Sequence, residues 1–106
     1  MPKQFRRFEF LLPTRFNNGE LVPSEAFADT LLELEAKFGA VSSESQTIVG
    51  RWRHEAQLYR DESVRVFVDV PDTDSNREFF FDFKELLKER FQQIDIWVTS
   101  YPLEVI

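Results

Sequence analysis

A chain of 106 residues is the length of one domain, and a domain of that size buries roughly two-thirds of its unfolded surface. With 42% hydrophobic and 30% charged residues it has the makings of an ordinary globular core, made unusually aromatic by twelve Phe and two Trp. A net charge of -6 argues against a nucleic-acid backbone or an anionic membrane as main partner, the lack of cysteine excludes disulfides, thiol nucleophiles and thiolate metal sites, and no apolar run nears the roughly 18 residues of a membrane span.

The first element is a strand over residues 5–12. Phe8, Phe10 and Leu12 point one way, and Arg7, Glu9 and Leu11 the other. Lys3, Arg6 and Arg7 precede apolar residues, as in an export signal, but Glu9 interrupts the run and Pro13 ends it. The Arg6-Arg7 pair therefore reads as the start of a strand. With no cysteine, the expected location is a reducing cytoplasm. Residues 13–23 form a loop that turns at Asn17-Asn18-Gly19.

A helix follows, N-capped by Ser24 and stopped by Gly39, with Phe27, Leu31, Leu34 and Phe38 as its apolar stripe and Glu33 paired with Lys37. Polar residues Ser42–Gln46 read as loop. From Thr47 the period becomes two. Ile48, Gly50, Trp52, His54, Ala56 and Leu58 share one face of a long strand, and Val49, Arg51, Arg53, Glu55, Gln57 and Tyr59 the other. Arg60-Asp61-Glu62 is the expected turn. Val64, Val66, Val68 and Val70 then form a β-branched buried face, with Arg65, Phe67 and Asp69 opposite.

After a second loop, Asp74 or Ser75 caps another helix. Its apolar residues Phe79, Phe80, Phe83, Leu86, Leu87 and Phe91 fall within an arc of about 140°. Phe81 lies outside that arc. The last strand points Ile94, Ile96 and Val98 inward and Asp95, Trp97 and Thr99 outward, and Tyr101-Pro102 closes it.

The order β-α-β-β-α-β is the ferredoxin-like α+β pattern. Right-handed crossovers place both helices on one face of a four-stranded antiparallel sheet, over a single domain spanning residues 1–106. The run Gly50-Arg51-Trp52, Glu62-Ser63-Val64, the Val-rich strand to Val70, Pro71-Asp72 and Phe91-Gln92 resembles a family of small bacterial ferredoxin-like proteins defined only as a domain of unknown function. The resemblance covers about the last sixty residues. It implies the same fold and supplies no catalytic residues.

Candidate chemistry is sparse. His54 is the only histidine and hence the only side chain whose unperturbed pKa lies near neutrality. It is the candidate general base, with Tyr59 or a strand arginine as partner, if a pocket forms between sheet and helices as in a small enzyme or ligand-binding protein of the dimeric α+β barrel type. The simpler reading is a partly exposed histidine near the outer end of a strand. Asp72-Thr73-Asp74-Ser75-Asn76 opens like a calcium loop, but Arg77 stands where glycine is needed and Phe83 where the bidentate glutamate belongs. Helix capping accounts for the same residues. The three glycines are far apart, so there is no phosphate-binding loop. No cofactor or metal is expected.

The stronger lead is the sheet face that no helix covers. Its binding candidates are Phe67, Trp97 and Tyr101 with Arg51, Arg53 and Arg65. RNA stacking on such a face would need the Gly-containing central-strand motif of RRM domains. Arg65-Val66-Phe67-Val68 lacks it. Internal ion pairing that shields the aromatics of a monomer is another reading. The preferred one is a non-enzymatic assembly or protein-binding module, homodimeric through this face or bound to another protein, because two-fold symmetry can set arginine against carboxylate.

Overall fold

The computed structural model describes residues 3–106. Its elements are β1 (Lys3–Pro13), α1 (Ser24–Phe38), β2 (Ser42–Ser43), β3 (Ile48–His54), β4 (Gln57–Pro71), α2 (Asp74–Arg90) and β5 (Trp97–Val105). The sheet runs β2-β4-β1-β5, with β3 also paired to β4. Leaving aside the two-residue β2, this is the ferredoxin-like α+β fold that the pattern predicts.

The core follows from the alternation. Phe8, Phe10 and Leu12 of β1 stand beside Val68, Val66 and Val64 of β4. Leu34 from α1 and Phe80, Phe83 and Leu87 from α2 close over them. The aromatic rings interlock: Phe8 stacks on Phe80 at 4.0 Å, Phe38 stacks on Phe80 at 5.3 Å, and Phe10 meets Phe83 edge-on at 6.0 Å. Such offset and edge contacts add to what area burial alone provides. Phe81, off the buried arc, is exposed.

The helix ends differ from expectation at the start and agree at the stop. Ser24 is the first helical residue, and Pro23, which has no side-chain donor or acceptor, occupies the cap position. Gly39 adopts φ 82°, the left-handed conformation that ends α1. The cap of α2 is Thr73, whose Oγ1 accepts from the Asn76 amide at 3.1 Å; neither Asp74 nor Ser75 does this. Glu33 does not pair with Lys37. It accepts from Arg90 at 2.7 Å, and Arg90 also donates to the buried Thr30 hydroxyl at 2.9 Å, so one guanidinium ties α2 to α1. Lys37 instead lies 4.7 Å over the Phe79 ring.

Four further corrections concern the strands and the edge of α2. Ser42–Ser43, expected as loop, pairs with Val66 and Phe67 as a minimal edge strand; so short a polar pair carries no alternation to read. Leu86 lies at the rim of the buried arc and is exposed, and so is Ile94, which precedes the last strand. That strand does not close at Tyr101-Pro102 but continues to Val105. Pro102 is tolerated within it because β5 is the sheet edge, where a missing N–H breaks no second ladder.

The largest correction is the hairpin. The chain turns at Glu55-Ala56, with φ of 48° and 66° at consecutive residues, the signature of a type I′ turn. Arg60-Asp61-Glu62 lies within β4, paired with Arg51, Gly50 and Val49. Because β1 pairs with β4 only from Ser63 to Pro71, the part of the hairpin built from β3 and residues 57–62 projects beyond the body. The molecule is correspondingly elongated, 49 × 30 × 25 Å.

Candidate interaction surface

Directly opposed residues of antiparallel strands share a face. The register therefore sorts every strand side chain. With Val66 and Val68 turned to the helices, the open face receives Arg65, Phe67 and Asp69 from β4, their partners Leu11, Glu9 and Arg7 from β1, and Trp97, Thr99 and Tyr101 from β5. Trp97, Leu11 and Arg65 form one row across three strands.

The middle of this face is a pre-arranged polar network. Arg7 grips Asp69 with two bonds of 2.7 and 3.0 Å. Hydrogen bonding to that carboxylate raises the Arg7 pKa still further above its ordinary value. Arg65 reaches Glu9 and Glu44, each at 3.2 Å, and the Tyr101 hydroxyl donates to Glu9 at 3.0 Å. The guanidinium of Arg7 lies 4.4 Å and that of Arg65 5.4 Å from the centre of the Phe67 ring. Phe67 is thus half-buried under two cations. Trp97 is not covered in this way and remains 66% exposed, with Tyr101 at 43%.

Arg51 and Arg53 do not join this network. Arg51 opposes Arg60 and Arg53 opposes Leu58, which puts both on the helix side of the hairpin, away from Phe67. The expected orientation assumed a core beneath Ile48 and Trp52. The hairpin projects past the core, and its facing is set by pairing to β4 alone. In place of the two arginines the open face gains Trp52, Tyr59 and Asp61. Trp52 and Tyr59 stack at 4.3 Å, and the indole Nε1 donates to Asp61 at 2.7 Å. In one uninterrupted strand Trp52 and Tyr59 fall on opposite faces. Only a turn centred between Glu55 and Ala56 makes them cross-strand partners, and neither residue is a usual turn former.

His54 occupies the hairpin tip with its side chain 65% exposed, 3.8 Å from Glu55. Tyr59 stacks on Trp52 and does not face it across a cleft. The two best-formed pockets lie elsewhere. One is shallow, beside Leu86, Gln92 and Ile94, and the other lies between α2 and the β5 edge, around Phe80, Lys84 and Ser100. Asp72, first residue of the calcium-like run, is bound by Arg77 at 2.9 Å and Arg6 at 3.3 Å. Among the described residues no three acidic or histidine side chains gather in a way that could hold a metal ion, and no helix is long and apolar enough to cross a membrane.

No family model matches the sequence, and no curated protein matches it. Solved structures do resemble it. The divalent cation tolerance protein Cut A1 from Thermus thermophilus superimposes with a TM-score of 0.65 at 13% identity, covering 93% of this chain and 84% of that one. A phage SAM lyase in complex with S-methyl-5'-thioadenosine gives 0.62 at 15% identity, covering 99% and 91%. A phage SAM lyase in its apo state gives 0.57 at 16% identity, covering 98% and 89%. At these identities the likeness is one of fold, and it places the chain among ferredoxin-like α+β proteins.

Proposed function

We propose that this chain is a non-enzymatic assembly module that binds a second copy of itself through the open sheet face. One observation carries the reading: the face has no helix over it among the described residues, yet holds Trp97 at 66% and Tyr101 at 43% exposure on β5, and the hairpin adds the stacked Trp52–Tyr59 pair to the same face. Large aromatics fixed on a rigid sheet are the usual anchors of protein contacts, and contiguous apolar patches are rarely left in water. The Arg7–Asp69 and Arg65–Glu9 pairs are already formed, so they supply an ordered polar surround without further loss of side-chain freedom. The competing ligand-binding reading needs a pocket that reaches His54, and neither of the two best-formed pockets does. Cation tolerance and lyase chemistry are named for the proteins of similar fold, and at 13–16% identity neither is carried over to this chain.

Light scattering of the wild type across micromolar concentrations, in about 1 M salt where contacts between charged surfaces are screened, is the direct test. The expected mass is that of a dimer. Trp97→Glu should reduce it to the protomer with an unchanged circular dichroism spectrum, because Trp97 lies outside the core. A wild-type protomer mass throughout, or a dimer indifferent to Trp97→Glu, would rule out the sheet-face contact.

A further inference from the structure

The projecting hairpin has a second side, and its charges are left unresolved by the chain itself. Arg51 stands directly opposite Arg60, and Arg53 follows on the same side, opposite Leu58. Like charges in opposed positions repel. Among the described residues the only ion pair of these three arginines is a long one, Arg60 to Glu62 at 3.8 Å. Exposed Val49 and Leu58 lie on the same side. A basic strip on apolar footing thus extends away from the body of a chain whose net charge is -6.

The outer side of α2 carries the opposite arrangement. Glu78, Asp82, Glu85 and Glu89 are all exposed. Their spacing of four, three and four residues confines them to an arc of about 60° at 3.6 residues per turn. Carboxylates at these spacings repel one another. Only Glu85 has an ion partner among the described residues, Lys88 at 3.1 Å. Exposed Phe81 and Leu86 flank the ridge on either side. The ridge points directly away from Phe80, Phe83 and Leu87, the buried side of the helix. The chain's own hairpin, continuing the sheet beneath that buried side, therefore cannot reach it.

We propose that the basic side of the hairpin of one copy docks on the acidic ridge of α2 of a second copy. The two surfaces match in sign and in step. Alternate residues of a strand are about 6.7 Å apart and neighbouring carboxylates of the ridge about 4.5–6 Å apart along the helix axis, so Arg51 and Arg53 can meet carboxylates on adjacent turns. Val49 and Leu58 then face Phe81 or Leu86. The contact is heterologous, with different surfaces on the two copies, and repeats around a ring or along an open chain. It is independent of the sheet-face contact, because it uses the other side of the hairpin and the other layer of the body.

The test uses two charge-reversed variants of the full chain, Arg51→Glu/Arg53→Glu and Glu78→Lys/Asp82→Lys, each checked for folding by circular dichroism. Sedimentation velocity at about 0.15 M and about 1 M salt reads the contact, since screening shortens from about 8 to about 3 Å over that range. The wild type should show a salt-sensitive association step that survives Trp97→Glu. Each variant alone should lose that step, with affinity about a hundredfold lower, since reversal sets like charges against each other. An equimolar mixture of the two variants should regain it, because the reversed hairpin then meets a reversed ridge. Wild-type-like association of either variant, or a mixture that fails to regain the step, would overturn the proposal. So would a chain that stays a protomer while its hairpin arginines bind single-stranded oligothymidylate.

Discussion

Asp72 shows how single side chains fasten this fold. It closes the end of β4 against α2 by accepting from Arg77 and Arg6, residues on two other elements. The hydrogen bond from Arg77 is the largest influence, followed by an opposing desolvation and then the bond from Arg6, and together they hold the carboxyl below its ordinary value. Asp95 is lowered likewise, chiefly by Lys84. A carboxyl whose pKa is depressed by folding adds stability above its unfolded pKa of about 4 and loses it as pH falls through the folded value. Wild-type urea midpoints should therefore drop as pH is lowered below about 4. Asp72→Asn should be less stable at neutral pH, and its deficit should shrink with acidification. A deficit constant with pH would show that the Asp72 charge contributes nothing. In the core, Phe83 is 5% exposed and touches the rings of Phe10 and Phe79. Phe83→Ala should cost about 3–5 kcal/mol in chemical denaturation, through lost burial and the cavity left behind.

The hairpin is the element that departs most from local sequence logic. Glu55 and Ala56 both adopt left-handed backbone conformations that residues with a Cβ disfavour. Placing Asn-Gly there suits a type I′ turn directly. Glu55→Asn/Ala56→Gly should raise the hairpin's stability by about 0.5–1 kcal/mol. Slower amide exchange at Trp52 and Tyr59 would report it, and unchanged exchange would mean that the turn carries no strain. The adjacent Trp52–Tyr59 stack is then what holds the register from the sequence side, since cross-strand aromatic pairs are among the stronger contacts on a sheet surface. By contrast, the helices keep most of their local signals: their apolar stripes, Leu86 excepted, turn to the core, and Gly39 stops α1 where expected, although both N-caps differ.

Across the whole molecule, the helices cover one face of the sheet, and the other face and both sides of the hairpin have no layer over them among the described residues. The two proposed contacts predict separable behaviour. The sheet-face dimer depends on Trp97, and its charges are already paired within each chain, so it should persist in high salt. The hairpin contact depends on Arg51 and Arg53 and should weaken there. A single assembly step that responds identically to Trp97→Glu and to arginine reversal would show that only one interface exists. The polar network around Phe67 places a limit on the first contact. Two guanidiniums already cover that ring, so Trp97, and not Phe67, is the side chain whose removal should matter most.

What the amino-acid order determined by itself was the fold and its core. Period-two and helical spacing are imposed by backbone geometry, so Phe8, Phe10, Val66, Val68, Leu34, Phe83 and Leu87 could be assigned to the interior from sequence alone. The open face was legible for the same reason wherever a strand lies over the core, as for Arg65, Phe67, Trp97 and Tyr101. What only the tertiary structure decided was the facing of residues 48–62. Beyond the end of β1 there is no core to select one side of a strand, and alternating residues fit either way. The facing there depends on where the chain turns, and Glu55-Ala56 carries no turn signal while Arg60-Asp61-Glu62 looks like one. Pairing with β4 settled it, sending Trp52 to the open face and Arg51 and Arg53 to the other.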